Sequence, residues 1–230
     1  MDIYKISEEI PEKIDEDEFF SDREDIDEGF ELLITDLRQG VKNPDRVNVF
    51  VNNRFSFSLD VSQVVDLGVK KGLVVTAEQL EEFKKASEFG KLYQRTLEWV
   101  LMRPHSKKET RDYLYKKVYD RKLDKSYIDR IIEKLETKGY VNDRKFAEFW
   151  VENRFVKKGV SRKRLEMELM KKGVAREIIG EVLIGRDDEE EVRKMIAKKR
   201  GKYEDDEKLI AYLCRQGFAY DLVRRLVEED

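Results

Sequence analysis

The stretch that decides the fold is SRKRLEMELMKKGVAREIIGEVL, residues 161–183, because its pattern returns 44 residues later as DDEKLIAYLCRQGFAYDLVRRLV, residues 205–227. At this one offset, eight positions carry an apolar residue or a glycine in both copies. Self-similarity at such a period is typical of proteins built from stacked helical repeats. The matched pairs are Leu165 with Leu209, Leu169 with Leu213, Gly173 with Gly217, Val174 with Phe218, Ala175 with Ala219, Ile178 with Leu222, Ile179 with Val223, and Val182 with Leu226.

A looser copy precedes these two. Ser106 aligns with Ser161 at an offset of 55, but Ile131 aligns with Ile178 at 47, which indicates an insertion near VYDRKLDK, residues 118–125. Because one helix triplet buries too little surface to be stable alone, neighbouring triplets are expected to stack in an elongated, curved array. We predict a mostly α protein in which residues 77–141, 142–186 and 187–230 contain three tandem three-helix repeats. The first helix of each carries Leu97 and Val100, then Phe146, Trp150 and Val151, then Val192, Met195 and Ile196.

Capping signals mark the second helix of the repeats. Ser106 and Ser161 occupy positions where an N-cap side chain would accept a hydrogen bond from the helix backbone. Gly173 and Gly217 occupy positions where a helix end requires a left-handed residue. These signals predict where the second helices begin and end.

Residues 31–76 predict a small β-containing segment ahead of the helices. Asn52 and Asn53 tolerate positive φ, so they predict a tight hairpin. Asp60 is expected to cap a short helix, and the sequence from Thr76 to Gln79 matches a capping box that opens the next one. The β-rich stretches are LLITDLRQ, VNVFV and RFSFSLD, which begin at residues 32, 47 and 54.

The net charge of −3 hides a strong asymmetry along the 230 residues. Residues 1–30 hold 13 acidic and 3 basic side chains, and their composition predicts a flexible acidic arm. Residues 91–141 hold 14 basic and 8 acidic side chains, and residues 142–186 hold 12 and 7. This asymmetry indicates a polyanionic partner or an acidic arm that folds over a basic body.

The composition argues against several functional classes. A single cysteine, Cys214, excludes an internal disulfide, and a single histidine, His105, excludes a histidine-rich metal cluster or a Ser-His or Cys-His pair away from that position. The sequence has no apolar run long enough to predict a membrane span. We therefore expect a cytoplasmic, monomeric protein that is not an enzyme, with no cofactor, no metal site and no membrane partner.

Two clusters of cations are the candidate binding residues. Interleaved Glu166 and Glu168 leave open the alternative of a solvated, salt-bridged face, in which Arg164 pairs with Glu168. The excess of positive charge instead favours contact with a filament or a nucleic acid. The second repeat supplies Arg154, Lys157, Lys158, Arg162, Lys163, Arg164, Lys171 and Lys172, and the first supplies Lys107, Lys108, Arg111, Lys116 and Lys117.

Four aromatic residues are weighed as stacking surfaces for single-stranded bases: Trp150, Phe146, Phe155 and Tyr113. Trp150 and Phe146 are four residues apart on one helical stripe, which favours a place in the core for both. Phe218 takes the position of Val174 and is expected in the core as well.

Several stretches resemble the RecX family from about Leu32 to the end of the chain. They are GYVNDRKFAEFWVENR from Gly139, KKGVSRKRLEMELMKKGV from Lys157, YLCRQGFAYDLVRRLV from Tyr212, and VNVFVNNRFSFSLD followed by VKKGLVV. The resemblance implies a regulator that lies in the groove of the RecA recombinase filament on DNA, lowers its ATPase and strand-exchange activity, and acts in recombination, DNA repair and the SOS response. It also implies weak, salt-dependent contact with single- or double-stranded DNA.

The chain departs from the family pattern in three places. Asn142-Asp143 stands where the family often has an acidic pair, and Cys214 and Gln216 stand where more positive charge is common. Residues 1–30 are not part of the family core, and we hypothesise that they compete with polyanions for the basic repeats. An alternative function is a stand-alone nucleic-acid-binding regulator whose repeats work like helix-turn-helix units.

Overall fold

The computed structural model describes residues 31–41, 43–203 and 205–230, with the backbone alone at 154–158. The predicted acidic arm, residues 1–30, lies outside the described residues. The described chain is mostly helical and begins with a small antiparallel sheet, which confirms the predicted fold class at that level.

The sheet has four strands in the order β3-β2-β1-β4, and its strand pairs are antiparallel. Asn52 and Asn53 join β2 to β3 with φ of 49° and 66°, which confirms the predicted hairpin. Both residues therefore have the positive φ that a tight turn between twisted strands requires. The strands are β1 (Leu32–Gln39), β2 (Arg46–Val51), β3 (Arg54–Asp60) and β4 (Val74–Val75).

One face of the sheet is covered by two helices, α1 (Val61–Asp66) and α2 (Ala77–Leu101). Asp60 and Thr76 form the predicted caps of these helices, each in a reciprocal capping box with the glutamine three residues later. The apolar core there has two sides. The sheet contributes Ile34, Val49, Val51, Phe57 and Leu59, and α1 with its C-cap and α2 contribute Val64, Leu67, Leu80, Phe83 and Ala86.

The described helices from α2 onward pack in three groups of three, each around its own apolar core. The first core includes Leu114 and Ile131, the second Leu165 and Ile179, and the third Leu209 and Val223. The groups are α2 with α3 (Lys107–Arg121) and α4 (Ser126–Thr137); α5 (Asp143–Lys158) with α6 (Arg162–Lys171) and α7 (Arg176–Val182); and α8 (Asp188–Lys199) with α9 (Asp206–Arg215) and α10 (Tyr220–Glu228). A short 3-10 turn, Arg200–Lys202, follows α8.

In the first two groups, the second helix begins at its predicted cap. The hydroxyl oxygens of Ser106 and Ser161 accept hydrogen bonds from the backbone N–H groups of Glu109 and Arg164. Helix α3 has 15 residues whereas α6 and α9 have 10 each, so part of the insertion near residues 118–125 lengthens α3. Lys122 then ends α3 in the left-handed region with φ of 54°.

Candidate nucleic-acid interface

The second helices of neighbouring groups meet end to end, with the N-terminus of one helix against the C-terminus of another. The N-terminus of α3 contacts the C-terminus of α6, and we call this contact the first joint. The N-terminus of α6 contacts the C-terminus of α9, and we call this contact the second joint. A positive helix end therefore faces a negative helix end at each joint.

At the first joint, a buried serine connects the two helix ends. The Ser106 hydroxyl donates a hydrogen bond of 2.7 Å to the backbone carbonyl of Lys172. The backbone N–H of Lys107 donates to the Asp143 carboxylate at 2.8 Å. Both bonds occupy polar groups that a helix end would otherwise leave without a partner.

The second joint uses the equivalent positions. The backbone N–H of Ser161 donates to the carbonyl of Gln216 at 3.2 Å. The backbone N–H of Arg162 donates to the Asp188 carboxylate at 2.7 Å. The guanidinium of Arg164 adds a hydrogen bond of 2.7 Å to the carbonyl of Arg215. At both joints, a serine at the N-terminus of one second helix thus donates to a carbonyl at the C-terminus of the next.

Gly173 and Gly217 are required at the joints for two reasons. Their φ angles are +83° and +97°, in the region that glycine adopts without a steric penalty, as predicted. A Cβ on Gly173 would lie 2.7 Å from the Lys108 Cβ, and one on Gly217 would lie 2.6 Å from the Ser161 hydroxyl oxygen. Each glycine therefore also permits the close approach of the next helix.

The first joint contains a group of charged side chains around Glu109. The Lys172 ammonium lies 2.7 Å from one carboxylate oxygen of Glu109, and the other oxygen lies 3.1 Å from the Arg103 guanidinium and 3.3 Å from the His105 ring. Burial alone would raise the pKa of Glu109, but these hydrogen bonds outweigh it and hold that pKa well below its usual range. Nearby, burial raises the pKa of Asp143.

Two aromatic stacks support this arrangement. The Trp99 ring lies 3.5 Å from the His105 ring and 4.4 Å from the Tyr113 ring, measured between centroids. The Lys172 ammonium lies 5.1 Å from the centroid of Trp150, whose indole N–H donates to Glu168. Lys172 is thereby placed between the two helix groups, and it positions them rather than facing outward.

Three of the predicted cations of the second repeat, Arg162, Arg164 and Lys172, make ion pairs within the protein. Arg162 pairs with Glu166 at 3.0 Å, and Arg164 pairs with Glu168 at 3.4 Å, which is the pair that the alternative of a salt-bridged face included. Lys163 and Lys171 are exposed, and no carboxylate among the described residues lies within ion-pair distance of either. Side chains are not described for Arg154, Lys157 and Lys158.

The predicted cations of the first repeat divide in the same way. Lys107 pairs with Glu136 at 2.8 Å, Lys108 with Asp112 at 2.7 Å, and Arg111 with Asp129 at 2.8 Å. The Lys117 ammonium lies 5.5 Å from the centroid of Tyr113, so it contacts an aromatic ring. Lys116 is exposed and has no carboxylate at ion-pair distance in the described part of the chain.

The open cations recur at one position of the repeat. Lys116 matches Lys171 at the offset of 55, and Lys171 matches Arg215 at the offset of 44. All three residues are exposed on the second helices. The sequence analysis missed Arg215, although the repeat alignment could have identified it because it pairs Arg215 with Lys171.

The weighed aromatic residues whose side chains are described do not form open stacking surfaces. Phe146 and Phe218 are buried, as expected, Trp150 is partly buried, and Tyr113 is stacked on Trp99. The side chain of Phe155 is not described. Tyr115 and Tyr119 of α3, which the sequence analysis did not select, are 51% and 84% exposed.

The described residues contain no group of histidine, cysteine, aspartate and glutamate side chains placed to hold a metal ion. No described helix is both long and apolar enough to cross a membrane.

Comparison with known proteins places two segments of the chain in one family. The model of the RecX N-terminal domain matches residues 33–76, and the model of the second RecX three-helix domain matches residues 142–183. The regulatory protein RecX of Listeria monocytogenes serovar 1/2a is 31% identical over 207 residues, with 86% of this chain and 76% of the relative covered. The regulatory protein RecX of Clostridium perfringens strain 13 is 30% identical over 212 residues, with 86% and 97% covered.

Solved structures agree in fold. A crystal structure of a regulatory protein RecX has a TM-score of 0.68 at 17% identity and covers 86% of this chain and all of that one. The structure of RecX from Lactobacillus salivarius has a TM-score of 0.52 at 25% identity and covers 63% and 97%. Since relatives about 30% identical align over most of both chains, and two family domains match in order, the chain belongs to the RecX family of regulatory proteins.

Proposed function

We propose that the protein binds the RecA nucleoprotein filament and lowers its ATPase and strand-exchange activity in recombination and DNA repair. Family membership supports a regulatory role, and the partner comes from the resemblance. The observation that carries the proposal is the recurrence of exposed cations on helices joined end to end, at Lys116, Lys171 and Arg215.

The spacing of these cations suits a periodic polyanion. Helix α6 has 10 residues and would span about 15 Å. We expect equivalent cations on successive second helices to lie about one such helix length apart. Contacts at such intervals follow a filament groove better than one compact ligand, and they give weak binding that falls as salt rises.

The ion pairs on the helices divide the remaining predicted cations into two classes. Lys108 with Asp112 and Arg111 with Asp129 are exposed pairs, which stabilise a protein little and can exchange a carboxylate for a phosphate. Lys172 is held by the largely buried Glu109, so removing it would disturb the joint. Lys172 is therefore assigned to positioning, and the exposed pairs to binding.

A charge-reversal experiment tests the proposal. Trace amounts of the protein should slow ATP hydrolysis by RecA on single-stranded DNA, and the protein should co-sediment with RecA filaments. The triple variant Lys116→Glu, Lys171→Glu, Arg215→Glu should lose most of both effects. A matched triple variant at exposed residues outside the second helices, Lys70→Glu, Lys85→Glu, Lys138→Glu, has the same net charge and should keep them.

Two outcomes would contradict the proposal. No effect of the unmodified protein on RecA at stoichiometric excess would remove the RecA partner. Tight, sequence-specific binding to duplex DNA without RecA would instead favour the stand-alone regulator whose repeats act like helix-turn-helix units.

The acidic arm, residues 1–30, is proposed to weaken polyanion binding. It holds 13 acidic and 3 basic side chains and is tethered to a chain whose middle is basic, so it competes at a high effective concentration. Deletion of residues 1–30 should tighten binding to DNA or filaments at low salt. Unchanged affinity would reject this role.

A further inference from the structure

The outer face of the sheet, opposite to α1 and α2, carries an aromatic and cationic group that the core does not use. The strand register places Phe50 opposite Phe55 on one side and opposite Asp36 on the other, and it places Arg38 opposite Asn48. These five residues define the outer face. Their neighbours Ile34, Val49, Val51, Phe57 and Leu59 point to the inner face and form the core.

Two β-bulges converge on Phe50. The pairing of β1 with β2 shifts between Ile34 and Asp36, which leaves Thr35 as the extra residue. The pairing of β2 with β3 shifts between Val49 and Phe50, which leaves Ser56 as the extra residue. The Thr35 hydroxyl fixes the first bulge, since it donates to the carbonyl of Phe50 and accepts from the N–H of Asn53. Bulges re-aim side chains and are frequent beside functional sites.

The side chains brought together form an ordered stack. The rings of Phe50 and Phe55 meet edge to face with centroids 6.0 Å apart, and the Arg38 guanidinium lies 4.7 Å from the centroid of Phe50. Asp36 holds the Arg38 guanidinium at 2.8 Å. Phe55 is 45% exposed, and the side chain of Arg38 is 65% exposed. A fixed aromatic ring and a flat cation thus share one solvent-facing surface.

The chemistry of this surface fits an unpaired nucleobase. Bases stack on exposed aromatic rings and on arginine guanidinium planes, and every base can do so because each has a π-face. A base inside a duplex has that face covered by its neighbours. Arg54 beside Phe55, Arg38 itself, and Lys71 near Asp36 add positive charge for the phosphates between successive bases.

We propose that the outer face of the sheet binds the bases of single-stranded DNA through Phe55 and Arg38. The inference rests on the proposed function for its DNA partner, but it concerns bases whereas the helices contact phosphates. The two ideas can therefore fail separately.

The test uses the full chain and two oligonucleotides of equal length, one of dT residues and one made entirely of abasic sites. Binding is measured by fluorescence anisotropy at low salt. The unmodified protein should bind the dT oligonucleotide more tightly than the abasic one. Phe55→Ala should lower affinity for the dT oligonucleotide about five- to tenfold, within the range found for loss of one stacking ring. Its affinity for the abasic oligonucleotide should not change.

Matched variants separate stacking from folding. Phe55→Tyr keeps a ring and should retain the base-dependent difference, whereas Phe55→Leu keeps apolar area without a ring and should lose it. Val65→Ala removes an exposed apolar side chain from α1 and should change neither affinity. Thermal unfolding of every variant reports whether the hairpin is intact.

Equal binding of the two oligonucleotides by the unmodified protein would overturn the proposal. Base-dependent binding that survives Phe55→Ala would also overturn it and leave the aromatic pair as a stabiliser of the hairpin. A base-dependent difference seen only after deletion of residues 1–30 would overturn it for the full chain and assign the face to the arm. If the protein forms a dimer that Phe55→Ala dissociates, the outer face is an interface with a second copy of the chain, and the proposal is overturned. If the triple variant at Lys116, Lys171 and Arg215 loses affinity for the abasic oligonucleotide, that result supports phosphate contact by the helices, which belongs to the proposed function alone.

Discussion

The first and second joints share the same backbone contacts, but the side chain that completes the contact is acidic at the first joint and basic at the second. Each joint uses a serine N-cap, an aspartate at the start of the next helix group, and a glycine with positive φ. At the position three residues after the serine, the first joint has Glu109, which holds the Lys172 ammonium, and the second has Arg164, which holds a backbone carbonyl. The repeat therefore preserves the geometry of the contact while the side chains that close it change.

This difference predicts different responses to solution conditions. The first joint depends on a carboxylate shared by Lys172, Arg103 and His105, so it should weaken when that carboxylate is protonated. The corresponding contact of the second joint connects the Arg164 guanidinium to the backbone carbonyl of Arg215, so that contact does not depend on the charge of a carboxylate. The predictions below test this contrast.

The largest effect is expected for Gly217→Ala at the second joint. The substitution forces a side chain into positive φ and places its Cβ 2.6 Å from the Ser161 oxygen, so the free energy of unfolding should fall by about 3 kcal/mol. Gly139→Ala is the matched control, because Gly139 has φ of +73° with nothing within 4 Å of the added Cβ. It should cost about 1 kcal/mol in urea unfolding. Equal losses would show that the close approach at Gly217 contributes nothing.

Glu109→Gln should destabilise the first joint by about 1.5–3 kcal/mol at neutral pH, since Lys172 and Arg103 lose a shared anionic partner. The pKa of Glu109 is lowered by folding, so its contribution is present above the usual value of 4.5 and is lost as the pH falls through the lower folded value. The stability difference between the unmodified protein and Glu109→Gln should therefore shrink as the pH is lowered below 4.5. A constant difference would contradict the role of the charge.

Ser106→Ala should cost more than Ser161→Ala. The Ser106 hydroxyl both caps α3 and donates to Lys172, whereas the Ser161 hydroxyl caps α6 and the joint bond comes from its backbone N–H. We expect losses of about 2 and about 1 kcal/mol in urea unfolding. The reverse order would mean that the serine hydroxyls do not distinguish the two joints.

The smallest effect on stability is expected for Lys108→Ala. Its pair with Asp112 is exposed, so the unfolding free energy should change by no more than about 0.5 kcal/mol. The alkyl stem of Lys108 also lies against Gly173 at the first joint. A loss well above this value would show that the joint depends on the stem.

Local features were predictable from the sequence, whereas the contacts between helix groups were not. The caps at Ser106 and Ser161, the left-handed glycines and the Asn52-Asn53 hairpin depend on residues within a few positions of one another. The Ser106 hydroxyl meets a carbonyl 66 residues away, and no local pattern records that distance. The opposite charges of Glu109 and Arg164 are visible in the alignment, but their meaning depends on which helix end faces each of them.

The candidate cations show the same division. Sequence reasoning identified the basic middle of the chain but could not separate Lys172, which closes a joint, from Lys171, which is exposed beside it. Adjacent residues on a helix point in directions about 100° apart, so their roles depend on which side meets the next group. The outer face of the sheet was missed because the bulge at Ser56 places Phe57 on the inner face and Phe55 on the outer face, whereas regular alternation would place both on one face.

The aromatic stacks of the first joint have an optical consequence. The chain has two tryptophans, and Trp99 lies against His105 while Trp150 lies beneath Lys172. The tryptophan emission of the protein therefore reports on the surroundings of the first joint, because neither tryptophan lies at the second. Movement of the first joint can be followed by ultraviolet emission without an added dye.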